Sequence, residues 1–139
     1  MVFQGGALFD SLNVGENVSF VLDEFMRMDK KTVKGRVEEA LGHVGLRGIE
    51  RMMTSELSGG MKKRVSLARV LCMKPQVIFY DEPTTGVDPI TADAINNLII
   101  ELSKKLRVTS IVVTHDMQSA YKVADSIAMF YHGQVIAEG

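Results

Sequence analysis

The chain has 139 residues, enough for one domain of modest size. Apolar residues make up 46% and charged residues 24%, the ordinary globular range, which excludes a disordered chain. The net charge of −1 offers no bulk electrostatic case for nucleic acid or an acidic membrane surface.

Met1-Val2-Phe3 reads as the end of a strand with no cap before it, so the sequence is expected to open inside a domain. No basic segment followed by an apolar run stands at the start, as a signal peptide would need. No stretch approaches the roughly 18 apolar residues of a membrane span. Gln4-Gly5-Gly6 then breaks the apolar run and reads as a loop.

A helix is predicted from Asn13, a good N-cap, with Glu16 completing a capping box. Val14, Val18, Val21, Leu22 and Phe25 share one face at helical spacing. Asp29-Lys30-Lys31 reads as a polar link, and a second helix is predicted over 32–44. Val33, Val37, Ala40, Leu41 and Val44 form its stripe, and Gly45 stops it. Residues 47–53 are predicted as a short third helix. Ser58 is predicted to cap a helix running to about Met73. Gly59 and Gly60 in its first turn leave backbone N–H groups bare at the positive end of the dipole, a ready anion site. Lys62, Lys63, Arg64 and Arg69 read mostly as its solvated face. Cys72, the single cysteine, lies in the apolar part of this helix and reads as a buried core thiol.

Residues 76–89, QVIFYDEPTTGVDP, organise the chain. Val77, Ile78, Phe79 and Tyr80 form a continuous apolar run, the pattern of a buried parallel strand. Pro83 ends the strand, and the adjacent carboxylates Asp81 and Glu82 stand at its tip. Ligands of open α/β sheets bind at that edge. A strand-end Asp can hold Mg²⁺, and a neighbouring Glu can polarise a water. Thr84-Thr85-Gly86 makes a loop, and Asp88 caps a helix with Pro89 at its first position. Ile95, Leu98, Ile99, Leu102 and Leu106 mark the face packed on the sheet. Residues 110–113 form the next strand, ending in Thr114-His115-Asp116. A helix over 117–123, a strand over 126–131, a turn at His132-Gly133 and a last strand over 134–137 follow, the final pair as a hairpin.

Mostly helical to Met73 and then alternating, the order argues an α/β sheet carrying a helical insert. Alone, Asp81-Glu82 reads equally well as two solvated charges, Ser58-Gly59-Gly60 as simple capping, and His115 as a satisfied polar residue. Parallel strands, however, place their C-terminal ends on one edge. Gln4, Asp81, Glu82 and His115 are therefore expected around one crevice.

Gln4 after an apolar strand, Leu57-Ser58-Gly59-Gly60, residues 77–83, Gly86-Val87-Asp88 and Thr114-His115-Asp116 together resemble the nucleotide-binding subunits of ABC transporters. They match the Q-loop, signature, Walker B, D-loop and switch histidine, in order, over the whole chain. FQGGALFDSLNVGENVSFVL and LSGGMKKRVSLARVL look most like the ATPases of Mla/Mce-type lipid transporters. The fold implied is α/β, a P-loop NTPase-like parallel sheet with a helical subdomain insert. Residues 1–4 would be a strand and the Q-loop, 5–74 the helical subdomain with the signature, and 75–139 the Walker B, D-loop and switch part of the sheet with a C-terminal hairpin.

The resemblance implies that Asp81 and Gln4 hold the Mg²⁺ of ATP, that Glu82 is the general base, and that His115 bonds the γ-phosphate and the attacking water. Ser58, Gly59 and Gly60 would grip the γ-phosphate of ATP bound to a second ATPase subunit. Asp88 would contact that subunit as well as cap its helix. A transmembrane permease subunit would dock on the helices between Asn13 and Val44, with the apolar residues of 6–12 as candidates for the contact. The resemblance places such a subunit peripherally on the cytoplasmic face of the inner membrane, with no nucleic acid partner.

The family's G-x-x-x-x-G-K-[ST] cradle occurs nowhere in these residues. A C-terminal piece of a longer ATPase, inactive alone and without its N-terminal β-subdomain and P-loop strand, is therefore expected. That strand would lie between the His115 strand and the one at 126–131, leaving a gap here. A non-catalytic module completing another subunit's ATP site is the alternative, and an ABC-type ATPase of DNA repair or translation a further one. Only roughly fifty residues separate Gln4 from the signature, too few for the coiled coil of a repair protein.

Overall fold

A computed structural model describes residues 1–3, 5–26 and 28–139. Helix α1 (Val14–Phe25) starts where the sequence predicts. Asn13 Oδ1 accepts from the Glu16 amide at 2.9 Å, and Glu16 Oε2 accepts from the Asn13 amide at 2.8 Å. Val14, Val18 and Leu22 are fully buried, but Phe25 at the far end is 77% exposed. The apolar stripe thus outruns the surface it packs on.

Helix α2 (Lys30–His43) begins two residues earlier than expected. Asp29 is its cap rather than part of a link, accepting from both the amide and the hydroxyl of Thr32. Residues 47–53 do not form the predicted helix; one 3₁₀ turn, Thr54–Glu56, follows them instead. Gly48 adopts φ +75°, and carbonyls of this segment are used elsewhere. Those of Met52 and Glu50 accept from the amides of Val14 and Gly15, donors that α1 cannot satisfy itself.

Helix α3 (Gly59–Leu71) is the centre of the helical half and packs against both α1 and α2. Val65, Ala68, Leu71 and the following Cys72 join Leu41, Val44, Val14 and Leu22 in the core. Of the four basic residues read mostly as a solvated face, Arg69 is an exception. Its guanidinium donates to the carbonyls of Ala7 and Gly6, each at 2.9 Å, and stacks over the Phe9 ring at 5.8 Å.

Strand β1 (Val77–Asp81) pairs in parallel with β2 (Thr109–Val113), Asp81 opposite Val113. On its other side Val2 bridges Tyr80, also in parallel. Helix α4 (Pro89–Leu106) covers one face of this sheet through Ile95, Ile99 and Leu102. That face holds Ile78 and Tyr80, 1% and 2% exposed, whereas Val77 and Phe79 are 44% and 48% exposed. The strand was expected to be buried on both faces; among the described residues only one face is covered.

Helix α5 (Met117–Val123) packs on α4, and the hairpin β3 (Ala128–Tyr131) and β4 (Gln134–Glu138) forms a second sheet. β2 and β3 are not neighbours, in keeping with the expected gap between them. A short parallel sheet with a helical insert is thus present, as the resemblance implies.

Candidate functional site

Strands β1 and β2 run in register, so their C-terminal tips emerge side by side. Glu82 leaves β1 with φ +47°, a left-handed conformation that costs an L-residue about 1–2 kcal/mol. Its amide donates to the Val113 carbonyl at 2.9 Å, which helps hold the turn. The side chain reaches the tip of β2. Glu82 Oε1 accepts from the His115 amide at 3.0 Å and lies 2.7 Å from His115 Nδ1. Facing a carboxylate, Nδ1 is the protonated ring nitrogen and donates. Glu82 Oε2 accepts from the Thr85 hydroxyl at 3.0 Å and from the Thr114 hydroxyl at 3.4 Å. The Glu82 side chain is 17% exposed and that of His115 81%.

Burial pushes the Glu82 carboxyl up, but the hydrogen bonds from His115 and Thr85 outweigh it and leave it below the ordinary value. Glu82 is therefore ionised at neutral pH. Lys63 of α3 is close enough to sense it: burial lowers the ammonium's pKa, and the Glu82 charge acts against that.

Asp81 is half-buried beside this pair, and among the described residues no side chain bonds its carboxylate. No cluster of three or more His, Cys, Asp or Glu that could cage a metal occurs among them either. A single strand-tip carboxylate suits Mg²⁺, which takes one or two protein carboxylates and fills its sphere with phosphate and water. Gln4 falls outside the described residues.

The signature segment is a separate feature. Ser58 is exposed, and its hydroxyl accepts from the Met61 amide at 3.2 Å. The amides of Gly59 and Gly60 are the first of α3 and have no intrahelical acceptor. Ser58, Gly59 and Gly60 make no hydrogen bond to Asp81, Glu82 or His115 among the described residues. They neighbour the start of α4 instead: a Cβ on Gly60 would stand 2.9 Å from Thr91 Cγ2. Asp88 caps α4 through the amides of Ile90 and Thr91 and accepts from the Thr91 hydroxyl at 2.6 Å. The Thr91 hydroxyl is the largest cause of its lowered pKa.

Sequence reasoning does not find Thr85 and Thr114. The only trace was a hydroxyl residue three positions after Glu82 and another just before His115.

A family model described as ABC transporter matches residues 1–85. MlaF of Haemophilus influenzae, an intermembrane phospholipid transport system ATP-binding protein, is 42% identical over all 139 residues of this chain, which correspond to 53% of that protein. In structure the chain is similar to cbiO1 from Clostridium perfringens, part of the ABC transporter complex cbiONQ. The TM-score is 0.91 at 36% identity, over 99% of this chain and 55% of that one. It is also similar to the ATP-binding cassette MJ0796 in its dimeric post-hydrolysis state with ADP and Pi bound, with a TM-score of 0.83 at 32% identity, over 99% of this chain and 60% of that one. The chain spans about half the length of the curated relatives it matches.

Proposed function

The chain belongs to the ABC transporter family, and on that premise we propose that it carries the hydrolytic tip and the signature face of an ATPase subunit. The observation that supports this best is the Glu82–His115 contact of 2.7 Å at paired strand tips. Ionised Glu82 is the general base for the attacking water. Among its hydrogen bonds from described residues the longest is the one from Thr114, at 3.4 Å, so a water reaches Oε2 at least cost there. His115 spends its Nδ1 proton on Glu82; Nε2 of the neutral ring then accepts from that water, and only a doubly protonated ring would donate Nε2–H to a γ-phosphate oxygen. Asp81, with Gln4, is the protein's share of the Mg²⁺ sphere. The ion, when bound, supplies neutralisation of charge on the phosphates.

Ser58, Gly59 and Gly60 present bare amides for the γ-phosphate of a nucleotide held by a second ATPase subunit, which Asp88 also meets. That MJ0796 forms a dimer with ADP and Pi bound supports the second subunit in this reading. Missing from these residues is the grip on the β-phosphate, since no Gly-Lys pair occurs in the sequence. No described helix is long and apolar enough to cross a membrane. Coupling to transport is assigned to a permease partner. Helices α1 and α2 and the Phe9 segment are its proposed dock, on the cytoplasmic face of the inner membrane. The phospholipid named for MlaF is the proposed substrate class.

The deciding experiment is Glu82→Gln in the assembled transporter, read by steady-state phosphate release. Turnover should fall by at least about a hundredfold, the usual lower bound for removing a general base, while nucleotide binding persists. A second reading is a non-catalytic module that completes another subunit's site. Unchanged turnover in Glu82→Gln would select that reading.

A further inference from the structure

We propose that Ser119 is a positioning residue that holds His115 against Glu82; this role rests on the catalytic reading of that pair. Ser119 is the third residue of α5 and is 2% exposed. Its hydroxyl has three side-chain neighbours from three separate segments. It donates to Asp116 Oδ2 at 2.7 Å. It accepts from Asn96 Nδ2 of α4 at 2.8 Å, and Thr84 Oγ1 lies 3.4 Å away. With its one proton spent on the carboxylate, Ser119 can only accept from Thr84. One donor and two acceptor sites are all that a hydroxyl has, and here all three are used.

The three partners are the reason this matters for His115. Thr84 is two residues beyond Glu82, and Asp116 is the residue after His115. The two segments whose tips meet at 2.7 Å are thus joined a second time, behind the tip, through one oxygen. Asn96, itself 5% exposed, anchors that oxygen to α4. Asp116 transmits the constraint. Its other oxygen accepts from the Gln118 amide at 3.0 Å, and its own amide donates to Thr114 Oγ1 at 3.1 Å. That threonine in turn bonds Glu82. A Lys122–Asp93 ion pair gives α5 a further hold on α4. The loop carrying His115 is short and its side chain is 81% exposed, so among the described residues the bond to Glu82 is what fixes the ring's distance from it.

Ser119→Ala removes the oxygen and also leaves the buried Asn96 amide unpaired, so it is expected to lower stability as well as turnover. The double variant Ser119→Ala/Asn96→Leu removes the hydroxyl together with its best-buried donor, the Asn96 amide, and so separates most of the stability effect from the effect on turnover. In the assembled ATPase, Ser119→Ala should lower kcat about tenfold, a tenth of the hundredfold that a 1 Å misplacement can cost, with KM for ATP within about twofold. The double variant should regain most of the Tm that Ser119→Ala loses and stay about tenfold slow. Wild-type turnover in the double variant, beside an inactive Glu82→Gln, would overturn the role of Ser119 alone. Full turnover in Glu82→Gln would sink the catalytic reading and this role with it.

Discussion

Gly60 is the position where crowding and bare-amide readings of the signature glycines part company. A Cβ there would stand 2.9 Å from Thr91 Cγ2, against the 3.5–4.0 Å of an optimal carbon contact. Thr91 cannot turn its methyl away cheaply. Its hydroxyl is bonded to Asp88 Oδ2 at 2.6 Å, its amide to Oδ1 at 3.0 Å, and a β-branched χ1 is stiff. Overpacking of this kind costs about 1–3 kcal/mol. Alanine in a helix returns at most about 1 kcal/mol over glycine, and less in the first turn. Gly60→Ala should therefore destabilise the chain by about 1 kcal/mol in urea unfolding without nucleotide. Thr91→Ser keeps the hydroxyl and deletes the methyl. In that background Gly60→Ala should be neutral or stabilising, a coupling of about 1–2 kcal/mol in the double-mutant cycle. If glycine served only to bare the amides, Gly60→Ala would stabilise the ligand-free chain in either background. Higher stability of the single variant, or a coupling within about 0.3 kcal/mol of zero, would refute the crowding account.

Two further measurements probe the scaffold. Asn17 is fully buried; it accepts from the Phe9 amide at 2.8 Å and donates to the carbonyls of Phe9, Leu12 and Asn13. Asn17→Ala should cost about 2–4 kcal/mol at roughly 1 kcal/mol per lost bond, and a cost under about 0.5 would contradict the assignment. Asn17→Asp keeps the Phe9 bond but turns a carboxylate on carbonyl oxygens. Its folded pKa is raised above the unfolded one, so the variant should be less stable than Asn17→Ala at neutral pH and recover as the pH falls towards about 4. Cys72 is 2% exposed, and burial pushes its thiol from an ordinary 9.0 up to about 11. Two units mean about a hundredfold less thiolate, the reactive species, so a thiol reagent at pH 8 should label it only as urea unfolds the chain. Prompt labelling of the native chain would place Cys72 outside the core.

What was legible from the residues alone is whatever a segment decides within its own few neighbours. Asn13, Ser58 and Asp88 cap helices because a side-chain oxygen needs only the amides two or three positions ahead. The carboxylates and His115 stand at strand tips because apolar runs end there, and parallel pairing of those runs then brings Glu82 to His115 across 33 positions of sequence. Even short-range patterns yield where a distant segment competes for the same groups: residues 47–53 give carbonyls to α1 and form no helix. The exposed side of β1 was likewise hidden, since an apolar run looks the same whether one face or both are covered. Arg69 reads as one more surface charge until the carbonyls of Gly6 and Ala7 arrive beside it. Ser119 carries no signal at all, for a hydroxyl's worth lies in how many of its three bonding positions are filled. Asn96 and Thr84 reach it from 23 and 35 residues away, a meeting that only the packing of α5 on α4, beside the loop that follows β1, brings about.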